Sequence, residues 1–128
     1  MTRYLTVEQA LRVARAAVGG PAFVRDIGLI EAAVHRPKAS VLGQDAYPDL
    51  LTKAAALLHS LARNHPLADG NKRLAWLAAY VLCAKNGLEL DANDDAAYEL
   101  VVAVAAGAID DVDEIAATLA TFAAEPDH

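Results

Sequence analysis

Apolar positions recur at helical spacing along most of the chain, and capping residues stand where the apolar runs begin. Thr6 to Gln9 has the pattern of a capping box, which opens a helix that ends near Val18. Asp26 can cap a second helix, which runs through His35 and is stopped by Pro37. The first part of the chain therefore predicts two helices.

Residues 38–48 interrupt this pattern. The stretch "KASVLGQDAYP" holds Gly, Pro and Ser with few apolar residues, so it predicts a loop or a small hairpin. Pro48-Asp49 then starts a long helix over "DLLTKAAALLHSLARNH". Its buried stripe is predicted to be Leu50, Ala54, Leu57, Leu58 and Leu61.

The next helix is apolar on most of its faces. It runs from about Asn71 to Asn86, and Gly87 is its predicted left-handed cap. Its apolar residues are Leu74, Trp76, Leu77, Ala78, Tyr80, Val81, Leu82 and Cys83. A helix of this kind is typical of the centre of a bundle.

Two further helices complete the pattern. Residues 94–107 are predicted to be helical, although "LVVAV" also fits a buried strand. Asp111 opens the last helix, which ends near Ala124. Since the chain has no internal repeat or linker, it predicts one domain over residues 1–128. The expected fold is all-α, a compact bundle of six helices with a short hairpin before the third.

Composition favours a globular protein of the cytoplasm. Hydrophobic residues make up 55% of the 128 residues, well above a disordered composition. The longest uncharged apolar run, Leu74 to Ala84, has 11 residues and is too short to span a bilayer. The N-terminus lacks the apolar core of a signal peptide. The one cysteine, Cys83, is expected to be a buried small hydrophobe.

Charge is distributed unevenly along the chain. The formal net charge of −6 argues against general nucleic-acid binding. All 11 Lys and Arg lie in residues 1–85, whereas residues 86–128 carry 11 Asp and Glu. An acidic, solvated surface on the last helices accounts for this pattern. The alternative is a molecule with one basic and one acidic surface, in which the basic surface binds an anion.

The segment "HPLADGNKR", residues 65–73, places two cations at the start of an apolar helix. Lys72 and Arg73 would lie at the positive end of the helix dipole, where anions are favoured and cations are not. A loop that enters a helix presents unpaired backbone N–H groups, and Gly70 can adopt the dihedrals with which such a turn wraps an anion. A bound phosphate would offset the local cost of both cations.

Three other side chains of the segment suit group-transfer chemistry. His65 carries an imidazole, the group suited to proton transfer near neutral pH. Asp69 offers the hard oxygen that Mg²⁺ takes alongside substrate phosphates. Asn71 can hold a phosphate oxygen or stabilise the turn. A base, a metal ligand and phosphate-binding groups within nine residues are the parts needed for phosphoryl or nucleotidyl transfer.

Each of these residues also has a structural explanation. His65 can be a surface histidine before a proline, Asp69 an N-cap, Gly70 a helix breaker and Asn71 a turn residue. The two cations can point into water. The residues alone leave phosphate binding and a structural role both open.

The same segment resembles the signature of the Fic/Doc family, His-x-Phe-x-(Asp or Glu)-(Gly or Ala)-Asn-x-Arg. It is most similar to the Doc (death-on-curing) branch, the toxins of toxin–antitoxin operons, which have Lys after the Asn. The likeness covers nearly the whole chain, because "YLTVEQAL", "RDIGLIEAAVHRP", "DLLTKAAALLHSLARNHPLADGNKR" and "KNGLEL" follow the family in order. A six-helix Fic-type core is therefore implied, in agreement with the helix count.

The resemblance implies roles for the loop residues. His65 would be the base that takes the proton from a target hydroxyl, and Asp69 would hold Mg²⁺. The phosphates of the nucleotide would be bound by the turn and its cations, Gly70, Asn71, Lys72 and Arg73. The segment from Val41 to Tyr47 matches the family's flap, which aligns a target peptide by strand-like backbone pairing.

Three positions bear on the activity. The family's Phe is Leu67 here, so the loop would be anchored less rigidly in the core. Family members that transfer AMP have Gly where this chain has Lys72 and a second Arg where it has Trp76. The Doc branch, which has Lys, is implied to bind the nucleotide inverted and to transfer its γ-phosphate.

The resemblance thus implies a protein kinase that uses ATP and Mg²⁺ and is held inactive by a cognate antitoxin. The implied target is a threonine hydroxyl of translation elongation factor Tu, whose modification would stop translation and growth. The alternatives are an AMP transferase, a non-catalytic member that binds nucleotide or antitoxin, and a structural helical domain. No direct contact with nucleic acid or membrane is expected.

Polar residues elsewhere are less telling. The family often has an Arg at the position of Arg63, which would contact phosphate or antitoxin, or be a solvated helix end. His59 is expected to be structural, and Ser60 has no base at helical spacing beyond this neighbour, so a serine nucleophile is not expected. His35 and His128 are isolated, and no spacing of His, Cys, Asp and Glu indicates a zinc site.

Overall fold

Six helices and one hairpin make up the computed structural model, which describes residues 1–123. The helices are α1 Val7–Val18, α2 Ile27–His35, α3 Leu50–Asn64, α4 Asn71–Lys85, α5 Asp94–Ala105 and α6 Val112–Phe122. A 3₁₀ turn follows α2, and the hairpin strands are β1 Ser40–Val41 and β2 Gln44–Asp45. The predicted all-α bundle with a hairpin before the third helix is confirmed. The predicted last boundary, Ala124, lies outside the described residues.

Side chains cap every helix but one among these six. The capping residues are Thr6, Asp26, Asp49, Asn93 and Asp111. The predicted capping box is confirmed, because the Thr6 hydroxyl accepts from the Gln9 N–H at 3.1 Å and Gln9 Oε1 accepts from the Thr6 N–H at 3.0 Å. The stretch "LVVAV" lies inside α5, so its strand alternative is wrong. Helix α4 differs from the others, because it begins at Gly70 without a side-chain cap.

Helix α3 lies at the centre of the bundle. The sequence had instead predicted α4 at this position, because α4 is apolar on most of its faces. Helix α3 packs against α2, α4, α5 and α6. Its small residues Ala54, Ala55, Ala56 and Ala62 are fully buried and allow the neighbouring helices to approach closely. On α4 the large rings of Trp76 and Tyr80 stay half-buried. The distribution of apolar residues alone therefore predicts the wrong central helix. Side-chain size matters as well, because neighbouring helices pack most closely around a helix with small side chains.

The apolar run of α4 contributes to the core of a bundle. No helix within residues 1–123 is long and apolar enough to cross a membrane. Cys83 is fully buried, and this burial raises the pKa of its thiol to about 11. The thiol therefore stays protonated at neutral pH, as expected for a cysteine that acts as a small hydrophobe.

The hairpin turns through Leu42 and Gly43, which have positive φ values of 52° and 78°. Positive φ at both central residues is the geometry that suits the twist of a two-residue hairpin. Ser40 pairs with Asp45, and Val41 pairs with Gln44. Both strands are exposed, and the Leu42 side chain at the tip is fully exposed. Of the two predictions for this segment, the small hairpin is confirmed.

A buried lysine anchors the base of the hairpin. Lys53 of α3 is only 2% exposed, and its ammonium donates to Asp45 Oδ2 at 3.2 Å and to the Tyr47 carbonyl. Arg36 donates from Nε to the Tyr47 hydroxyl at 3.0 Å. The hairpin tip is thus free, whereas its base is tied to α3 and to the 3₁₀ turn.

Candidate functional site

One cavity of about 580 Å³ gathers most of the predicted site residues. It lies where the loop between α3 and α4 meets the first turns of α4 and α5 and the end of α1. Its lining residues are Val18, His65, Ala68, Asp69, Gly70, Asn71, Lys72, Arg73, Trp76, Asp94, Ala97, Tyr98 and Val101. Every residue predicted to act as base, metal ligand or phosphate contact lines this cavity, except Arg63.

Asn71 holds the loop from inside. Its Oδ1 accepts from the Leu67 N–H at 2.8 Å, and its Nδ2 donates to the Leu67 carbonyl at 2.9 Å. The Leu67 side chain is only 1% exposed, so the smaller residue at the motif's Phe position still anchors the loop in the core. The Asn71 side chain therefore stabilises the turn, which is one of the two roles predicted for it.

Gly70 is required by close packing as well as by conformation. Its φ of +90° lies in the left-handed region that disfavours side chains. A Cβ added there would lie 2.6 Å from Val18 Cγ1, at the end of α1. Any larger residue would push the loop away from α1, so the shape of the cavity depends on this glycine.

A segment between α1 and α2 pairs with the loop from outside. The backbone N–H groups of Arg25 and Asp26 donate to the Pro66 carbonyl at 2.8 and 3.1 Å. Val24 and Leu67 form an antiparallel bridge. The loop is thus held from inside by the Asn71 side chain and from outside by backbone hydrogen bonds, which limits its freedom to move.

His65 ends α3 in a left-handed conformation, with φ 51° and ψ 62°. Few residues other than Gly adopt this conformation readily, although His is enriched there relative to most side chains. Arg25 stabilises it, because its Nε donates to the His65 carbonyl at 3.0 Å and its Nη2 donates to the Asn64 carbonyl at 3.1 Å. Within residues 1–123 the imidazole itself has no hydrogen-bond partner, and it faces the cavity with both ring nitrogens available.

Lys72 and Arg73 are exposed in the first turn of α4, and neither forms an ion pair with a carboxylate in the described part of the chain. Gly70 provides no side-chain cap, so the first N–H groups of this helix are unpaired at the same place. Within residues 1–123, two cations without an ion pair and the unpaired N–H groups of a helix start thus line one cavity. This combination of groups suits an anion with several oxygens.

Asp69 carries an exposed carboxylate on the same loop, and its Oδ1 accepts from the Gly70 N–H at 2.9 Å. No group of three or more His, Cys, Asp or Glu able to hold a metal occurs within residues 1–123. The loop itself offers one carboxylate and no such group of ligands, a donor set that does not suit zinc. It suits Mg²⁺, which takes one or two carboxylates together with substrate phosphates and water.

Arg63 does not reach the cavity, so the phosphate contact predicted for it is not supported. Its Nη1 donates to the Ala105 carbonyl at 3.3 Å, and its Nε lies 3.7 Å from Asp110 Oδ1. The side chain packs so closely over Gly107 that a Cβ there would lie 2.8 Å from Nη1. The position on α3 directs Arg63 toward the turn between α5 and α6 rather than toward the loop.

His59 joins the same turn to the base of the hairpin. Arg36 Nη1 lies 2.8 Å from His59 Nδ1, and His59 Nε2 lies 2.8 Å from Asp110 Oδ1. Since a guanidinium only donates, Nδ1 must accept and Nε2 must donate. This hydrogen bond is the largest cause that lowers the pKa of the Asp110 carboxyl. The contacts agree with the structural role predicted for His59.

The hairpin does not contribute to the lining of the cavity. The structure therefore has a hairpin in the place along the chain where the flap is predicted, and no residue of this hairpin lines the cavity in the described part of the chain. Its exposed strands leave backbone groups free for pairing with another extended chain.

Three residues with polar side chains in or beside the cavity were not predicted from the sequence. Arg25 supports the His65 carbonyl from 40 positions away along the chain, a contact that no local spacing indicates. Asp94 and Tyr98 line the cavity from α5. Their spacing of four places both on one helix face, which could have been noticed, but Asp94 has an ordinary explanation in the first turn of a helix.

Comparisons with known proteins find sequence similarity over most of the chain. The profile of the Fic/DOC family matches residues 4–83, a range that contains the loop, the segment that pairs with it and most of α4. Toxin Doc of Mycolicibacterium smegmatis is 54% identical over 126 residues, which cover 97% of this chain and 96% of that protein.

Proposed function

The chain belongs to the Fic/DOC family, and from this premise we propose that it is a toxin that transfers the γ-phosphate of ATP to a hydroxyl group of a target protein. One observation within residues 1–123 carries the proposal. A single cavity brings together an imidazole without a hydrogen-bond partner, two cations without an ion pair and a helix N-terminus without a side-chain cap. A structural domain has no need for this combination.

The reaction requires a base close to the phosphate site. The target hydroxyl attacks the γ-phosphorus, the bond from this phosphorus to the bridging oxygen breaks, and ADP leaves. His65 accepts the hydroxyl proton on a ring nitrogen. Lys72, Arg73 and the first N–H groups of α4 stabilise the charge on the transferred group and on the leaving ADP.

Asp69 is the residue that would hold Mg²⁺ in this reaction. The ion, when bound, neutralises charge on the phosphate oxygens. Asp69 lies beside the turn that binds these oxygens, and its second carboxylate oxygen has no partner within residues 1–123. The donor set therefore fits a magnesium ion shared between protein and nucleotide.

AMP transfer is the second candidate, because it uses the same loop. Lys72 and Trp76 argue against AMP transfer, since family members that transfer AMP have Gly and Arg at these positions. Trp76 packs edge-on against Phe122, with ring centroids 5.9 Å apart, so it belongs to the packing between helices. Position 76 thus forms an aromatic contact within the fold and supplies no second arginine to the phosphates.

The deciding experiment follows label from ATP into protein. The purified chain is incubated with Mg²⁺ and cell lysate, and ATP carries the label at either the γ- or the α-phosphate. We expect label from the γ-position alone to enter a protein of the size of a translation factor, with elongation factor Tu as the first protein to test. Label from the α-position would assign AMP transfer. Label from neither, with purified elongation factor Tu present, would favour a non-catalytic nucleotide or antitoxin binder.

The proposal also implies a protein partner and a location. A cognate antitoxin encoded beside this chain would keep the cavity inactive, and a target in translation would place the protein in the cytoplasm. Expression without the antitoxin is then expected to arrest growth.

Arg25→Ala is expected to lower the rate of phosphate transfer about tenfold while leaving the KM for ATP unchanged, because Arg25 supports the backbone of the base without lining the cavity. Steady-state kinetics with varied ATP measure both quantities. Arg12→Ala is the control, since Arg12 is an exposed arginine of α1 without a side-chain hydrogen bond in residues 1–123. A rise in KM equal to the loss in kcat/KM would show that Arg25 acts on nucleotide binding instead.

Asp69→Ala is expected to remove most of the Mg²⁺ dependence of ATP binding. The affinity for ATP in the presence of Mg²⁺ should fall at least about tenfold, because even residues that only hydrogen-bond to a metal ligand contribute about this much. Calorimetric titration of ATP with and without Mg²⁺ measures it. Asp91→Ala is the control, because Asp91 is exposed and does not line the cavity. An unchanged effect of Mg²⁺ in the Asp69 variant would exclude Asp69 as the metal ligand.

A further inference from the structure

The wall of the cavity opposite the loop is one face of α5. Asp94, Ala97, Tyr98 and Val101 are spaced as i, i+3, i+4 and i+7, so they form one stripe along this helix. Ala97 and Val101 are buried and belong to the packing of α5 on its neighbours. Asp94 and Tyr98 are exposed, and within residues 1–123 neither side chain has a hydrogen bond or an ion pair.

Tyr98 is an aromatic ring that the fold does not use. It is 63% exposed, whereas Tyr80 is half-buried and Tyr47 accepts a hydrogen bond from Arg36. A ring exposed to this extent buries little apolar area in the bundle. Inside a cavity that already holds phosphate-binding groups, its free face can stack on a flat aromatic ligand.

Charge decides which end of a nucleotide lies against α5. Lys72 and Arg73 are on the α4 side, and the carboxylate of Asp94 is on the α5 side. A triphosphate would be repelled by Asp94 and attracted by the two cations. A carboxylate is, in contrast, a good acceptor for a sugar hydroxyl, as in other nucleotide sites.

We propose that this face of α5 binds the nucleoside of the substrate, with Tyr98 stacked on the base and Asp94 accepting a hydrogen bond from the ribose. The proposal rests on the proposed function, since it names the part of the cavity that holds the remainder of ATP. The phosphates lie at the N-terminus of α4, and the base and sugar lie along α5.

The test compares ATP with inorganic tripolyphosphate, which has the phosphates and lacks the nucleoside. Calorimetry with the full chain and Mg²⁺ measures both affinities. Tyr98→Ala is expected to weaken ATP binding about 10- to 100-fold, the size of one lost stack between a base and an aromatic ring. Binding of tripolyphosphate should stay unchanged, and Tyr98→Phe should bind ATP like the wild type. Because Tyr98 is largely exposed, neither substitution should disturb folding.

A second arm tests the ribose. The wild type is expected to prefer ATP over 2′,3′-dideoxy-ATP, and Asp94→Ala, which removes the acceptor oxygens, should lose this preference. Asp95→Ala is the matched control, since it removes the adjacent carboxylate, which does not line the cavity. Loss of the preference in both variants would indicate a general charge effect and would overturn the assignment of Asp94.

The outcomes separate the two proposals. If the wild type binds ATP and Tyr98→Ala binds it equally well, α5 does not hold the base, and the proposed function stands without this inference. If the wild type binds neither ATP nor tripolyphosphate, both proposals fall. Weaker binding of both ligands by Tyr98→Ala would also contradict the inference, since it would show that the ring affects the phosphate site.

Discussion

His65→Ala is expected to abolish growth arrest and to lower the rate of phosphate transfer by about 10²–10⁴-fold, the usual loss when a general base is removed. The imidazole lines the cavity and has no other partner within residues 1–123, so the substitution removes a proton acceptor without breaking a hydrogen bond. Transfer from γ-labelled ATP to the purified target measures the loss, and induction in cells measures the relief.

The backbone at this position calls for a second variant. His65 has φ 51°, a left-handed conformation that Asn adopts more readily than Ala. His65→Asn therefore keeps the turn and has no group that can act as a base. If both variants are inactive and bind ATP like the wild type, the loss is chemical. If only His65→Ala is inactive, the loop geometry is responsible, and His65 is not the base.

If the His65 variants are as toxic as the wild type, His65 is not the base and the proposed mechanism is wrong. The antitoxin provides a check against loss of folding, because a folded inactive variant should still co-purify with it. A variant that is harmless and fails to bind the antitoxin would say nothing about proton transfer, so ATP binding must be measured on the same sample.

The sequence predicts the helices well because each one carries its own start and stop. Asp49 caps α3 and Gly87 follows α4 with φ +83°, and both signals are local, so they act whatever surrounds them. The grouping of the candidate phosphate-binding residues in one cavity is predictable for the same reason. Gly70, Lys72 and Arg73 are neighbours along the chain, and a helix start gathers them without help from the rest of the fold.

Contacts between distant parts of the chain could not be predicted in this way. The position of Arg63 outside the cavity could not be predicted, because the turn of α3 on which it lies directs it to the Ala105 carbonyl, and the path of α5 is not visible in the local sequence. The role of Arg25 was not predicted because the group it contacts, the His65 carbonyl, lies 40 positions away along the chain. A buried Lys53 is likewise unexpected, because a lysine is buried only where specific partners, here the Asp45 carboxylate and a carbonyl, meet its ammonium.

Lys72→Gly is expected to lower transfer of the γ-phosphate by about 10²–10³-fold, the loss seen when one group that stabilises transition-state charge is removed. Lys72 is exposed at the N-terminus of α4, where its charge has no carboxylate partner in the described residues. A bound anion would offset the cost of a cation at the positive end of the helix dipole. Measurement uses purified target and ATP labelled separately at the γ- and α-phosphates.

Two further substitutions separate charge from space. Lys72→Ala removes the charge and keeps a good helix former, so it should lose γ-transfer as severely as Lys72→Gly. Lys72→Arg keeps the charge and should retain part of the activity. If Lys72→Ala is as active as the wild type, the charge is not used in catalysis, and the cation at the helix start is a solvated surface residue.

Only the glycine variant is expected to gain anything. Without a side chain at position 72, the space beside the helix N-terminus can take the α- and β-phosphates, so weak AMP transfer can arise. The gain should be small in Lys72→Gly alone, because Trp76 still occupies the place of a second arginine and is held there by Phe122. Lys72→Gly combined with Trp76→Arg should then transfer more α-label than either single variant. Transfer of the α-label by the wild type would reverse the argument, because the lysine would then be compatible with the AMP-transfer pose and the kinase assignment would be wrong.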